Sequence, residues 1–225
     1  MSPLIRMAAL DMAGTTVADQ GAVEEAFQSA LDAMGLVAGD LAHEPGEYVK
    51  RTMGQSKIDV FTELLGGDRH RAAQANEAFE AAFDASVRRG EVAPLAGAEE
   101  TLAALRAGGV RLCLTTGFSP ATRDRIIDAL GWQSLVDLTL SPADAGRGRP
   151  WPDMILTAIL RLHVDDVAEV AVVGDTASDL VAGTRSGASV VAGVLTGAHG
   201  RPELEAAPHT HLLNSVADLP GLLLG

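Results

Sequence analysis

Acidic and hydroxyl-bearing residues follow three apolar runs in this sequence, each at the point where the run ends. Asp11 follows Leu10, Thr116-Gly117 follow a second run, and Asp175 follows a third. The carboxyl ends of parallel strands face the crevice in which open α/β sheets bind ligands. We therefore interpret Asp11 as a candidate nucleophile, while the alternative, an Asp that only begins a turn, stays open at this point.

Asp11 and Asp175 are predicted to face one another, because the strand ends of one parallel sheet share one edge. Two facing carboxylates raise each other's pKa unless a cation lies between them, and a set of oxygen ligands suits Mg²⁺. Asp179 lies one helical turn beyond Asp175 and could face the metal or water. Thr176 and Ser178 could simply cap the helix that follows. The pattern predicts a Mg²⁺ site at this edge.

The segment 147–150 supplies two cations, Arg147 and Arg149, in a loop that precedes a proline. The planar guanidinium of Arg149 can hold a phosphoryl group through two hydrogen bonds. Thr116 Oγ and neighbouring backbone N–H groups could donate to the same oxygens. We interpret Arg147 as a solvated loop charge.

The rest of the pattern predicts the elements that position these groups. Strands alternate with helices after residue 90, which favours βαβ units and a doubly wound, Rossmann-like parallel sheet. Residues 20–90 show helical periodicity alone, with helices around 23–34, 58–65 and 75–87. We predict an α/β core of residues 1–18 and 91–225 and an inserted all-helical cap domain of residues 19–90. The predicted strands are 3–10, 110–115, 136–140, 169–173, 189–194 and 210–213, with later helices around 153–162, 177–186 and 215–223.

Composition limits the classes of partner and compartment. The formal net charge of −13 and the pI near 4.7 disfavour a nucleic-acid partner. Cys113 is the single cysteine, so no internal disulfide can form, and its apolar surroundings predict burial. The first apolar run is interrupted by Arg6 and is too short for a signal peptide or a membrane span. We expect a cytoplasmic protein without a membrane partner, and a homodimer is left open.

The stretches 11–16, 116–117, 149 and 174–179 resemble those of the haloacid dehalogenase-like hydrolase superfamily across essentially the whole chain. The helical insert resembles the cap domain of that superfamily. Ala13 stands where its phosphatases carry the second Asp of Asp-x-Asp, and Arg149 stands where they carry Lys; both are similar to the phosphonatase (phosphonoacetaldehyde hydrolase) branch. The resemblance implies that Asp11, the carbonyl of Ala13 and Asp175 ligate Mg²⁺.

Segment 53–59 looks like the phosphonatase segment that contains the Schiff-base lysine, here Lys57. The spacing of Ser56 and Asp59 predicts a capping box with Lys57 in the first helical turn. The helix dipole and partial burial would lower the pKa of Lys57 toward the free amine that a Schiff base requires. A surface lysine on a capped helix is the alternative. Met53 and Gly117 are expected to contact the substrate together with Lys57.

Ala13 bears on the reaction, because a phosphate monoester leaves as an alkoxide and needs a general acid that alanine cannot supply. A C–P bond leaves as a carbanion, which an iminium on Lys57 would delocalise as an enamine. We therefore predict a hydrolase of a small 2-oxoalkylphosphonate, phosphonoacetaldehyde or a relative, in which Asp11 takes the phosphoryl group. The alternatives are a small-molecule phosphatase or phosphomutase of the same superfamily, a metal-free dehalogenase, and a non-catalytic binding protein.

Overall fold

The fold is described from a computed structural model, and the structure describes residues 4–37, 39 and 41–225. Six strands form one parallel sheet, in the order β5 (Leu138–Leu140), β4 (Arg111–Thr115), β1 (Met7–Asp11), β6 (Val170–Gly174), β7 (Val190–Val194) and β8 (His211–Leu213). The predicted doubly wound class is confirmed, and each predicted strand appears but begins one to four residues later than predicted, while the first and fourth also end one residue later. Residue 3, where the first predicted strand begins, lies outside the described residues.

The sheet is buried on both faces, because successive side chains of a strand point to opposite sides. Ala8 and Leu10 of β1 belong to the apolar cluster that contains Leu102 of α5 (Ala98–Ala107). Met7 of the same strand belongs to a second cluster, which contains Met154 of α8 (Asp153–Arg161). Helices therefore cover the two faces and fix the sheet between them. The remaining helices of this part are α6 (Pro120–Leu130), α7 (Pro142–Ala145), α9 (Ala177–Ser186), α10 (Arg201–Glu205) and α11 (Leu219–Leu223).

Residues 19–90, which we call the cap, contain helices and no strand in their described part. A two-stranded antiparallel ribbon of β2 (Val17–Ala18) and β3 (Ala93–Pro94) joins the ends of the cap to the rest of the chain, the core. Three phenylalanines pack at the centre of the cap. The ring centroids of Phe27 and Phe61 are 4.5 Å apart, and those of Phe27 and Phe79 are 5.2 Å apart. The division into two domains at residues 18/19 and 90/91 stays a prediction. The cap helices are α1 (Ala22–Ala33), α2 (Pro45–Arg51), α3 (Lys57–Leu64) and α4 (Arg69–Arg88).

Several helices differ from the sequence-based expectation. Helix α2 was not predicted, since its seven residues are too few to show a period; Glu44 caps it by accepting from the N–H groups of Gly46 and Glu47. Helix α4 begins well before its apolar stripe, because Asp68 caps its first turn. The short helices α7 and α10 were also missed. None of the helices in the described ranges is long and apolar enough to cross a membrane.

Candidate active site

A cavity of about 310 Å³ lies at the carboxyl edge of the sheet and is lined by both core and cap. Because the structure brings β1, β4 and β6 side by side, the predicted strand-end residues meet here. Seven of the predicted site residues line it: Asp11, Ala13, Met53, Lys57, Thr116, Gly117 and Asp175. Arg149 and Asp179 are buried beside them without forming part of the lining.

Asp11 is the last residue of β1 and is buried. Its Oδ1 lies 2.6 Å from Nη1 of Arg149, and its Oδ2 has no hydrogen-bond or ion-pair partner within the described ranges. Burial raises the pKa of Asp11 well above its ordinary value; Arg149 opposes this rise, and the carboxylates of Asp179 and Asp175 add to it. One carboxylate oxygen is thus oriented by a cation, and the other is available to a ligand.

Asp175 follows β6 and is held by groups from two loops. Its Oδ1 accepts a hydrogen bond from Thr15 Oγ1 at 3.0 Å, and its Oδ2 accepts from the N–H of Ala198 at 2.7 Å. Burial, followed by the charge of Asp179, raises its pKa to about 6. The loop after β1 approaches closely only because residue 14 is glycine: a Cβ at Gly14 would lie 2.5 Å from Asp175 Oδ2.

Asp11, Asp175 and Asp179 form an acidic cluster whose oxygens lie within 4.8 Å of one another. Three buried carboxylates repel one another, and the single guanidinium of Arg149 offsets only part of their charge. Hard divalent cations are bound by oxygen ligands of this kind. The cluster therefore fits a divalent cation.

Asp179 does not face water. Its side chain is buried, and one oxygen accepts from Arg149 while the other accepts from the N–H and Oγ1 of Thr176. Thr176 and Asp179 form a reciprocal capping box at the start of α9, so the capping function foreseen for Thr176 is present. Both oxygens of Asp179 are already engaged, which makes this residue a support for Arg149.

Arg149 contacts two carboxylates through one nitrogen. Its Nη1 contacts Oδ1 of Asp11 and Oδ1 of Asp179, whereas Nε and Nη2 are buried without a partner in the described part of the chain. The guanidinium of Arg149 does not form part of the cavity lining. The predicted bidentate contact between Arg149 and a phosphoryl group therefore stays a prediction. Arg147 is exposed and pairs with Asp153 at 2.8 Å, in agreement with its interpretation as a loop charge.

Lys57 is the first residue of α3, as predicted, and its side chain extends into an aromatic part of the cavity. Its Nζ lies 5.9 Å from the ring centroid of Phe27 and 5.6 Å from that of Phe118. Only 6% of the residue is exposed, and Nζ forms no hydrogen bond or ion pair with any described residue. Burial, and then the charge of Arg149, lowers the pKa of Lys57 to about 8, against the opposing effect of nearby carboxylates.

The predicted capping box of Ser56 and Asp59 is wrong. Ser56 occupies the N-cap position, but its side chain accepts no hydrogen bond from the helix. Ser56 is buried, and the N–H of the next residue, Lys57, donates to the carbonyl of Gly117 at 3.3 Å. The start of α3 is thus fixed by the core. Asp59 is exposed on the outer side of the helix.

Two further hydrogen bonds join cap and core near the cavity. Gln55 Nε2 donates to Ser178 Oγ at 3.3 Å. His199 Nε2 lies 3.2 Å from the carbonyl of Lys50, and His199 Nδ1 accepts from the N–H of Ala177 at 3.0 Å, which makes Nε2 the protonated nitrogen. The cap is therefore seated on the core at several points around the cavity.

Sequence reasoning missed several residues of this site. Asp19, Gln20 and Glu24 line the cavity beside Lys57, and Thr15 and His199 support it from the core. Acidic residues before and within the first turn of a helix are common, so this segment carried no separate signal for a cavity. Thr15 belongs to the 11–16 stretch, although only its position there suggested a role.

A parallel sheet with a strand-end aspartate, a second acidic strand end and a helical insert defines a class of hydrolase. The chain belongs to the haloacid dehalogenase-like hydrolase family, whose model matches residues 5–187. This confirms the superfamily inferred from the sequence.

Relatives place the chain more narrowly. It is 31% identical to phosphonoacetaldehyde hydrolase of Bacteroides fragilis, over 96% of this chain and 87% of that protein. It is 28% identical to the probable phosphatase IndB of Dickeya dadantii, over 98% of this chain and 93% of that protein. Among solved structures, a phosphonoacetaldehyde hydrolase-like protein from Oleispira antarctica has a TM-score of 0.83 at 22% identity, covering 99% of this chain and 92% of the other. The predicted similarity to the phosphonatase branch is confirmed.

Proposed function

We propose that this protein is a Mg²⁺-dependent hydrolase that cleaves the C–P bond of a 2-oxoalkylphosphonate, either phosphonoacetaldehyde or a relative. The observation that carries the proposal is the unpartnered amine of Lys57, buried in the same cavity as Asp11. A pKa of about 8 leaves an appreciable fraction of free amine near neutral pH, and a free amine is what forms a Schiff base with a carbonyl.

The metal-site proposal assigns the carboxylates of Asp11 and Asp175 and the carbonyl of Ala13 as ligands. The buried acidic cluster supports it, since its oxygens suit a hard cation. When bound, Mg²⁺ would supply positive charge to the phosphoryl oxygens. Asp179 is not one of the proposed ligands; it holds Arg149 against Asp11.

The reaction we propose begins when the Lys57 amine attacks the substrate carbonyl and water leaves, which gives an iminium. Oδ2 of Asp11 then attacks phosphorus, and the electron pair of the C–P bond passes into the iminium to give an enamine. Protonation and hydrolysis of the enamine return Lys57 and release the aldehyde or ketone. Water hydrolyses the phosphorylated Asp11 and releases phosphate. Thr116 and the backbone of Gly117, which line the cavity, orient the phosphoryl group.

Ala13 supports this proposal over simple ester hydrolysis. Its methyl group lines the cavity beside Asp11 but can neither donate nor accept a proton. The enamine route needs no proton donor at this position, because the leaving carbanion is delocalised onto the nitrogen of Lys57.

The second candidate is a small-molecule phosphatase or phosphomutase in which Lys57 only binds the substrate. It is favoured by the similarity to a probable phosphatase along nearly the whole chain. The two candidates differ in one chemical respect, namely whether Lys57 becomes covalently attached to the substrate.

Borohydride trapping tests the proposal. Incubation with phosphonoacetaldehyde and then borohydride should inactivate the enzyme and add substrate-derived mass to the peptide that contains Lys57. The chain has two lysines, so exposed Lys50 in the same cap provides a matched control: Lys50→Arg should be trapped like the wild type. Lys57→Arg keeps the charge and should lose C–P cleavage by orders of magnitude. Near-wild-type turnover of Lys57→Arg, or faster wild-type hydrolysis of p-nitrophenyl phosphate than of any oxoalkylphosphonate, would favour the second candidate.

A further inference from the structure

We infer that Asp19 and Glu24 make the cavity selective for substrates whose carbonyl carbon bears a hydrogen, a neutral group or a cationic group, and exclude those that bear a carboxylate there. The inference deepens the proposed function and rests on it. The inference specifies the charge of the substituent on the carbonyl carbon. The reaction itself does not determine this charge, because the C–P bond could be cleaved in the same way beside a carboxylate.

Two carboxylates stand in the wall of the cavity next to Lys57. The segment from Ala18 to Glu24, which leads from β2 into α1, lines the cavity together with Lys57. Asp19 is half-buried; its Oδ2 accepts from the N–H of Val23 at 3.3 Å, and its Oδ1 has no partner among the described residues. Glu24 is exposed at the mouth of the cavity and forms no hydrogen bond or ion pair with any residue that the structure describes. Neither carboxylate is therefore held in an ion pair by a described cation of the protein.

Lys57 ties this wall to the reaction. Its buried Nζ is unpartnered and lies in the same cavity, so a ligand group must meet it there. Burial and then the charge of Arg149 lower the pKa of Lys57, and the carboxylates of Asp11, Asp19 and Glu24 oppose them, in keeping with the place of Asp19 and Glu24 in the lining beside Lys57. Both the ammonium and the iminium carry one positive charge. The positive charge of Arg149 also reaches Lys57, but Arg149 already contacts Asp11 and Asp179, so the single charge of Lys57 stands against the two carboxylates of Asp19 and Glu24.

In the proposed reaction, the substituent on the carbonyl carbon lies close to Lys57 and so to the part of the cavity that Asp19 and Glu24 line. It is bonded to the same atom that Lys57 attacks, and it therefore lies within two bonds of Nζ in the imine. A carboxylate there would face Asp19 and Glu24 as a third negative charge. Charges of like sign repel across several ångströms, more strongly where the site is partly shielded from water. A hydrogen or methyl group meets no such repulsion.

Three substrates that differ only in this substituent test the inference: phosphonoacetaldehyde, 2-oxopropylphosphonate and 3-phosphonopyruvate. For the wild-type enzyme with Mg²⁺, we expect kcat/KM for the methyl ketone to exceed that for phosphonopyruvate by at least tenfold. Asp19→Asn and Glu24→Gln should each reduce this ratio by roughly threefold, and the double variant by about tenfold, by improving the use of phosphonopyruvate. Added salt should also lower the ratio of kcat/KM for the methyl ketone to that for phosphonopyruvate in the wild-type enzyme.

The variants have matched controls. Asn at position 19 keeps an oxygen that can accept from the N–H of Val23, so α1 should still begin normally. Glu25 is exposed next to Glu24 but does not line the cavity, and Glu25→Gln should leave the ratio unchanged. An unchanged ratio in the double variant, or a wild-type preference for phosphonopyruvate, would overturn the inference while leaving C–P cleavage established.

Two unreactive ligands separate this inference from the proposed function. Phosphonoacetate and isobutylphosphonate have the same shape but differ by one carboxylate charge. Calorimetry with Mg²⁺ should show that the double variant gains affinity for phosphonoacetate relative to isobutylphosphonate. If no oxoalkylphosphonate is cleaved, the proposed function fails, and this pair still reports whether the wall selects by charge. Equal relative affinities in wild type and variant would overturn the selection.

Discussion

Ala13 is the side chain that most clearly limits the chemistry of this site. It lines the cavity next to Asp11 and Asp175 and is half-buried. In the proposed reaction, a carboxylic acid at this position would be the general acid for the leaving group of a phosphate ester. The absence of a carboxylic acid at this position matches a reaction in which the electron pair of the broken bond passes to the nitrogen of Lys57.

Ala13→Asp should raise slow phosphomonoesterase activity without improving C–P cleavage, because it restores a general acid for an alkoxide leaving group. General acid catalysis contributes roughly 10²–10⁴-fold, so we expect at least a tenfold rise in the ratio of p-nitrophenyl phosphate to oxoalkylphosphonate turnover. Initial rates with both substrates check this. Ala13→Asn, which cannot donate a carboxyl proton, is the control and should not show the rise.

The burial of Lys57 should lower the stability of the fold. Its pKa is about 8 in the folded chain against an ordinary value of 10.5, so at neutral pH the folded protein holds a desolvated ammonium. The corresponding penalty is roughly 3 kcal/mol. It is complete below about pH 8, where the amine is protonated in both the folded and the unfolded chain. Between about pH 8 and 10.5 the unfolded chain binds a proton that the folded chain lacks, so stability rises with pH there.

Lys57→Met should therefore unfold at a higher denaturant concentration than the wild type at pH 7, and the difference should shrink by pH 9.5. Urea unfolding of both metal-free proteins at the two pH values measures it. Lys50→Met, at an exposed position of the cap, should show no such pH-dependent difference. A wild-type protein that is as stable as Lys57→Met at pH 7 would show that the amine is not desolvated.

Among the structural elements, the loop after β4 links the candidate active site to the contacts between the cap and the core. Phe118 packs against Phe83 of α4 with centroids 4.7 Å apart, and Arg125 of α6 pairs with Asp84 at 3.2 Å. Gly117 sits between these contacts and the start of α3. The loop that carries Thr116 is thus held by the same helices that position Lys57.

Gly117→Ala should displace the cap, because a Cβ at this position would lie 2.2 Å from the backbone carbonyl oxygen of Gln55. Neither backbone can yield without moving α3. We expect kcat/KM to fall by more than tenfold, since a misplacement of about 1 Å can cost about 100-fold. Gly221→Ala is the control: nothing lies within 4 Å of its Cβ, and activity should be unchanged. Wild-type kinetics for Gly117→Ala would show that the contact does not position Lys57.

For the molecule as a whole, repulsion among the buried carboxylates predicts that a bound cation stabilises the folded state. The chain carries a net charge of −13, and its acidic cluster lies in the centre of the sheet edge. Ligands that bind only the folded state stabilise it by mass action. The predicted absence of a nucleic-acid partner, the cytoplasmic location and a homodimer stay predictions.

Mg²⁺ should raise the melting temperature of the metal-free protein. At a concentration 100-fold above Kd the gain is about 2.7 kcal/mol, which for a chain of this size corresponds to roughly 5–10 °C. Asp175→Asn should melt higher than the wild type without metal, because it relieves repulsion, and should gain little from Mg²⁺. Thermal unfolding with chelator and with Mg²⁺ measures both effects; an equal gain in Asp175→Asn would remove Asp175 from the metal site.

Local sequence patterns were enough to predict the parallel sheet, the helical block and the meeting of Asp11, Thr116 and Asp175. Local periodicity shows strands and helices, and the shared edge of parallel strands then brings their ends together without further information. The position of Lys57 in the first turn of α3 was also predictable. The predicted capping box of Ser56 and Asp59 is wrong, because a backbone hydrogen bond to the core, and not a side-chain hydrogen bond, fixes the start of this helix.

The surroundings of these residues depend on contacts between distant segments of the chain. The contacts of Arg149 with Asp11 and Asp179, the carboxylates of Asp19 and Glu24 beside Lys57, and the bridge from His199 to the cap join segments far apart in the chain. No local pattern encodes them, because they depend on how the cap is seated on the core. Desolvation at that junction, followed by the charge of Arg149, lowers the pKa of Lys57 to about 8.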